Sequence, residues 1–267
     1  MSRAPATAKI NLALVVGPQR NDGYHEVATV LQRIDLTDRI DVEPARDISV
    51  DGFPDDTLVR RALELLGAET GRSWHARIEK HIPVAAGLGG GSSDAATALS
   101  LANETLDEPL PRERLAALAA ALGADVPFFL TDAPQLATGI GTQLEPLDVP
   151  QDYRIVIVLP YDTGKSSTAD VYGAFDGGNG FAERRDALLS GLADVRRAED
   201  LAALPPNDLA SSPVADELRA VGAFRADVSG AGQAVYGLFL EEEEAVSASR
   251  RIRPRGRVWI TAPAWYG

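Results

Sequence analysis

The segment Pro83-Val-Ala-Ala-Gly-Leu-Gly-Gly-Gly-Ser-Ser-Asp-Ala-Ala-Thr-Ala-Leu99 constrains this chain more than any other. Four glycines, Gly87, Gly89, Gly90 and Gly91, fall within five positions, and two serines and an Ala-rich helical stretch follow. Glycine admits positive φ and close backbone approach, and a helix start presents amides that carry partial positive charge. Together they make a seat for a phosphate. The competing reading is a tight turn ahead of a helix. A run this dense in glycine loses much backbone entropy on ordering, which favours the ligand reading.

The flanking pattern is mixed. In Lys9 to Val16, residues Ile10, Leu12, Leu14 and Val16 share one parity, as in a strand. Val27 to Leu36, Arg39 to Val42 and Trp74 to Ile78 also read as strands, and Asn21-Asp22-Gly23 marks a turn. Leu58, Ala62, Leu65 and Leu66 share a helical face, with Gly67 as the expected C-cap. After the glycine loop a helix is expected from about Ser92 to Leu106, then a second that Pro111 opens and Gly123 closes. Short strands should flank Gly139-Ile-Gly141, and Arg154 to Leu159 reads as a core strand. Helices are expected near 168–175, 182–192 and 208–220, and strands near Asp227, at Ala234 to Leu240 and at Arg257 to Thr261. Glu241 to Glu244 would open a helix between the last two strands, their charge complementing its dipole. Strands cluster and helices cluster without one-for-one alternation, so the fold class is α+β, not a doubly wound parallel sheet. A boundary near residue 150 divides the chain into 1–150 and 151–267.

Composition narrows the functional classes. The chain has 267 residues, enough for one large domain or two ordinary ones. A net charge of −13 argues against general nucleic-acid binding, so a polyphosphate would have to be held locally in a shaped pocket. No apolar run is long enough to cross a bilayer, no signal-peptide h-region opens the chain, and cysteine is absent. These features fit a reducing cytoplasm and no membrane role. His75 and His81 lie on or near one strand with no Cys to join them, so no metal site is expected there. The arginines between 250 and 257 read as a solvated cluster.

Three nucleotide motifs fail. G-x-G-x-x-G breaks at Ser92 and again at Val235. The P-loop pattern is imitated by Gly164-Lys165-Ser166 but breaks at Leu159. The H-R-D and D-F-G elements of protein kinases are absent. The loop instead resembles the P-x-x-x-G-L-G-G/S-S-S loop of the GHMP small-molecule kinases. Ala8-Lys-Ile-Asn-Leu12, Asp22-Gly-Tyr-His25, Gly123-Ala-Asp-Val-Pro-Phe128, Gly139-Ile-Gly141, Thr168 to Tyr172, Asn207-Asp-Leu209 and Ser229-Gly-Ala-Gly232 extend the resemblance over most of the chain.

The resemblance implies two domains with the active site in the cleft between them, residues 1–150 being the ATP-binding domain. It points to the branch that phosphorylates the 2-hydroxyl of a cytidine diphosphate-linked polyol, a step in non-mevalonate isoprenoid precursor synthesis, with ATP and Mg²⁺. It gives the ATP-phosphate cradle to Pro83, Val84, Ala85, Ala86, Gly87, Leu88, Gly89, Gly90, Gly91, Ser92 and Ser93. It makes Asp125 the base and Lys9 its cationic partner, and it puts Asn11, Tyr24, His25, Thr168 and Tyr172 on the acceptor side. Outside that context, Asp125 reads as a turn residue, Lys9 as a surface lysine, and Ser92 and Ser93 as caps. The turn 229–232 would face the acceptor phosphates, or else simply join a hairpin. Thr57, Thr142 and Ala231 depart from the family pattern. Other readings are a homoserine- or mevalonate-type kinase, a related decarboxylase, and a catalytically silent nucleotide-binding relative. Monomer and homodimer both stay open.

Overall fold

A computed structural model describes residues 1–161, 168–175 and 180–264. Gly164-Lys165-Ser166 therefore lies outside the described residues. Ten strands and seven α-helices are described, and strands pair antiparallel in every recorded register except one. The exception is the short parallel pair of β3 (Ser49–Asp51) with β4 (Ser73–Glu79). This is the α+β class expected from the clustering of elements.

The chain divides into two compact units that are not contiguous in sequence. The first comprises Met1–Ala8, Leu36–Val84 and Gly89–Asp132; the second comprises Lys9–Asp35, Ala85–Leu88 and Ala133–Gly267. Residue 150 thus falls inside the second unit. The reason is the length of the first two strands. β1 (Ser2–Gln19) and β2 (His25–Ala45) each run through both units. The sequence reads β2 as two strands because Thr37 and Asp38 interrupt the apolar pattern, yet the backbone stays extended through them.

In the first unit, the later part of β2 pairs with β4 from Arg39 opposite Glu79 to Ala45 opposite Ser73. Helices α1 (Leu58–Thr70) and α2 (Gly90–Glu104) pack on each other and on β4, and α3 (Arg112–Leu122) packs on both. Val59, Ala62, Leu63 and Leu66 form the buried face of α1 at helical spacing. The buried alanines of α2 let its neighbours approach closely. Gly67 is not the C-cap of α1: the helix runs one turn further, and Gly71, at φ 68°, caps it by donating to the Gly67 carbonyl at 2.8 Å. Likewise α2 begins at Gly90, two residues before the expected Ser92, with Gly89 as its left-handed N-cap.

In the second unit, β2 pairs with β5 (Gln135–Gly139), which turns through Gly139-Ile-Gly141 into β6 (Gln143–Pro146). A separate sheet has the order β10 (Gly256–Thr261), β7 (Arg154–Pro160), β9 (Val235–Phe239), β8 (Arg225–Val228). Helices α6 (Pro213–Ala220) and α7 (Glu242–Ile252) bury Val214, Leu218, Ala248 and Ile252 against Val156, Val158 and Phe239 of that sheet. Two further helices, α4 (Thr168–Ala174) and α5 (Phe181–Asp194), precede α6. The expected helical stretch 208–220 starts only at Pro213, because Ser212 caps it and residues 207–212 serve as a connecting turn.

Candidate active site

The glycine loop leaves β4 at Lys80 and re-enters regular structure at Gly90. Left-handed backbone recurs at every second residue: Ala85 at φ 57°, Gly87 at 83° and Gly89 at 69°. Ala85 is the non-glycine residue with positive φ among those described, a conformation that costs about 1 kcal/mol. Alternating left-handed residues turn successive amides to one side, the geometry of an anion nest. Among the described residues, no acceptor is recorded for the backbone amides of Gly87 through Gly91. Gly87 has a second constraint. A Cβ there would strike the Ser229 carbonyl and the Gly232 backbone. Ser92 is half-buried on the first turn of α2, while Val84 is exposed. Ser93 is fully buried, and its hydroxyl has no recorded partner.

Within the second unit the loop meets the other glycine turn directly. The Ser229 hydroxyl donates to the Gly87 carbonyl at 3.0 Å and accepts from the Asn11 amide at 3.3 Å. The Ala234 amide donates to the Ala86 carbonyl at 2.9 Å, and the Lys9 amide to the Leu88 carbonyl at 2.9 Å. The hairpin between β8 and β9 therefore does more than reverse the chain; it is stitched to the loop and to β1.

Lys9 and Asn11 share one face of β1, and Ile10 and Leu12 the other; all four are buried. The Lys9 ammonium donates to Asn11 Oδ1 at 2.6 Å. Asn11 Nδ2 donates to Thr29 Oγ1 at 2.8 Å, and that hydroxyl donates to the Ala13 carbonyl at 2.7 Å. The relay fixes the Asn11 amide so that its oxygen faces the cation. A Cβ on Gly230, which stands at φ 58°, would lie 3.2 Å from Asn11 Oδ1 and 3.4 Å from the Lys9 Nζ.

On the other side of β1, His25 is buried and its Nδ1 lies 2.9 Å from the Gly17 carbonyl. A carbonyl only accepts, so Nδ1 carries the proton, and in the neutral ring Nε2 is an acceptor. Tyr172 lies against the His25 ring at 5.7 Å and Phe175 at 6.0 Å, both packed on Leu14, Val16 and Val27. Tyr24 is exposed by 60% and its ring packs in none of these pairs. Thr168 opens α4. Phe175 was not singled out from the sequence; its spacing of three residues from Tyr172 on a helical segment is the signal that identifies it.

In the first unit, Asp125 sits half-buried in the tight turn between α3 and the 3-10 turn Pro127–Leu130, beside buried Val126, Phe128 and Phe129. The Val126 amide closes that turn on the Gly123 carbonyl at 3.2 Å. Among the described residues, no group of three or more His, Cys, Asp or Glu is placed to hold a metal, and no helix is long and apolar enough to cross a membrane.

Comparison with known proteins decides the family. Residues 57–132 match the GHMP kinases N terminal domain. A 4-diphosphocytidyl-2-C-methyl-D-erythritol kinase of Desulfitobacterium hafniense (strain Y51) is 40% identical, over 96% of this chain and 93% of that protein. This chain belongs to the 4-diphosphocytidyl-2-C-methyl-D-erythritol kinase family. A crystal structure of 4-(cytidine 5'-diphospho)-2C-methyl-D-erythritol kinase, 33% identical, superposes with a TM-score of 0.81, covering 98% of this chain and all of that one. A mevalonate kinase superposes at 0.77 over 98% of this chain and 99% of its own, but at 14% identity it shares the fold alone.

Proposed function

We propose that this protein is an ATP-dependent kinase for 4-diphosphocytidyl-2-C-methyl-D-erythritol, transferring the γ-phosphoryl group of ATP to the 2-hydroxyl and releasing ADP. The observation that carries the reading is 40% identity sustained over 96% of the chain with a kinase of that name. The amides of Gly87 to Gly91, which have no acceptor among the described residues, support it by offering donors to phosphate oxygens.

Phosphoryl transfer demands positioning and charge stabilisation more than covalent chemistry. In this reading the stretch from Pro83 to Ser93 cradles the ATP phosphates. Mg²⁺ enters with ATP as part of the substrate. The orphaned Ser93 hydroxyl and the neighbouring Ser92 are the protein oxygens suited to the phosphates or to that ion. Asp125 takes the proton of the acceptor hydroxyl as its oxygen bonds to the γ-phosphorus and the bond to the bridging oxygen of ADP breaks. Lys9, oriented by Asn11, offsets the negative charge on the transferred group. Tyr24, His25, Thr168 and Tyr172 take the cytidine end, where His25 Nε2 suits an amino-group donor.

ADP release measured with 4-diphosphocytidyl-2-C-methyl-D-erythritol, mevalonate and homoserine tests the assignment. Turnover with the first alone is expected; turnover only with mevalonate or homoserine overturns it. Asp125→Asn should lower turnover by about 10²- to 10⁴-fold while ATP still binds. A fully active Asp125→Asn enzyme would remove Asp125 from the base role.

A further inference from the structure

Both stems of the glycine loop converge on one buried charge cluster. Lys80, the first residue after β4, directs its ammonium to Asp38 of β2 and to Asp94 Oδ2 of α2, the latter at 2.7 Å. Asp38 Oδ1 also accepts the amides of His81 at 2.5 Å and Ile82 at 2.8 Å. The side chains of Asp38 and Asp94 are 0% and 3% exposed, and that of Lys80 is 14%. Asp38 thus holds the outgoing stem at three consecutive residues, and Lys80 links that stem to the helix on which the loop ends.

The cluster also explains a glycine. A Cβ at Gly90, the first residue of α2, would lie 3.2 Å from Lys80 Nζ and 3.0 Å from Ile82 Cγ2. Gly90 is small because the two stems press together there, not because its backbone is left-handed.

Stability does not account for this arrangement. With both carboxyls ionised, the single ammonium leaves a buried net negative charge, and even balanced buried ion pairs are commonly no better than apolar replacements. One carboxylate oxygen, Asp94 Oδ1, has no hydrogen-bond partner among the described residues. A costly cluster at the two ends of one loop points to a role in the geometry of that loop.

We propose that Lys80, Asp38 and Asp94 are positioning residues for ATP: by clamping the stems of the glycine loop they set the orientation of its amides toward the phosphates. This rests on the kinase reading above. None of the three need touch the reacting atoms.

The test uses ATP binding by calorimetry on the intact protein, together with KM for ATP and for the acceptor. Asp94→Ala cuts the link to α2 but relieves the excess negative charge, so its melting temperature should not fall. Its affinity for ATP should drop about tenfold or more, the scale of one charge-assisted hydrogen bond. KM for the acceptor should stay within about twofold, and Asp94→Asn, which still accepts from Lys80, should recover ATP affinity to within about threefold of wild type. ATP binding at wild-type strength in folded Asp94→Ala overturns the proposal, as does an Asp94→Asn protein as weak as Asp94→Ala. If Asp94→Ala fails to fold, the apolar pair Lys80→Met with Asp94→Leu takes its place, and wild-type ATP affinity in that double variant overturns the proposal equally. Wild-type protein that binds no ATP would instead defeat the kinase reading itself.

Discussion

The stems of the glycine loop in the first unit and the glycine turn at 229–232 in the second are held by different chemistry. In the first, one ammonium and two carboxylates do the holding: Lys80, Asp38 and Asp94. In the second, neutral groups carry most of it. Asn207 Nδ2 donates to the carbonyls of Val228 at 3.0 Å and Gly230 at 2.7 Å, and its Oδ1 accepts the Leu209 amide at 2.8 Å. Behind it, Asp227 accepts the amides of Asn207 and Val228 and lies 3.7 Å from Arg225. A neutral amide satisfies three backbone groups at little desolvation cost, whereas the charged cluster is held against a large one. The neutral brace should therefore be rigid and stabilising. The charged brace should be adjustable, because the proton count on Asp94 alters the force between its members.

The largest effect should come from crowding the two turns with a methyl group. At Gly232 a Cβ would strike the Ala86 carbonyl group and the Gly87 amide nitrogen, which are backbone and cannot swing aside. At Gly90 the atoms in the way belong to side chains, Lys80 Nζ and the Cβ and Cγ2 of Ile82, and none approaches closer than 3.0 Å. Gly232→Ala should lose about 3 kcal/mol or more of stability, against about 1 kcal/mol for Gly90→Ala. Urea unfolding of the two variants checks this. Equal losses would mean that the loop stems are as unyielding as the turn, and the contrast between the braces would fail.

A pH-dependent effect separates the braces next. The Asp94 carboxyl rises from its ordinary 3.8 to about 7 on folding. Between those values the folded chain binds more protons at this site than the unfolded chain, so its contribution to stability falls as pH rises. Asp94→Asn removes the effect. The variant should match wild type near pH 4 and gain on it toward pH 7 and above, with a slope no steeper than about 1.4 kcal/mol per pH unit. Taking the difference between the two proteins cancels Asp227, which burial also raises. Parallel curves across that window would deny Asp94 its unusual proton affinity.

The difference between the braces also governs how much of the molecule its sequence reveals. Ser229-Gly-Ala-Gly232, Asn207-Asp-Leu209 and the loop are short runs whose spacing survives translation into structure, so they stand out as motifs. Lys80, Asp38 and Asp94 are ordinary charged residues separated by 42 and 14 positions, and nothing local distinguishes them from a solvated surface. The α+β class is legible because hydrophobic periodicity is local. The division of the chain is not. It depends on β1 and β2 each running through both units, and in β2 the continuation past Thr37-Asp38 is held by pairing with β4. The end of α1 at Gly71 in place of Gly67 has a similar cause: buried Val59, Ala62, Leu63 and Leu66 anchor the helix well enough to carry a glycine in its last turn.

The smallest effect concerns a neutral orphan in the second unit, set against the charged orphan Asp94 Oδ1 in the first. Tyr153 and Tyr236 are both fully buried there. The Tyr236 hydroxyl donates to the Leu12 carbonyl at 3.2 Å and accepts from Arg225 Nε at 3.2 Å. The Tyr153 hydroxyl has no recorded partner; its ring packs edge-on to Phe224 at 6.3 Å, and burial pushes its pKa up. An unpaired hydroxyl forgoes its bonds to water without replacement. Tyr153→Phe keeps the ring and the packing and should therefore stabilise the protein by about 1 kcal/mol, at any pH from 4 to 8. Tyr236→Phe should cost a similar amount by stranding a buried carbonyl and part of a guanidinium. Chemical denaturation of the two single variants reads out both signs together. A loss in Tyr153→Phe would show that a water or a relaxed neighbour already serves its hydroxyl, and the orphan at Asp94 would then be open to the same explanation.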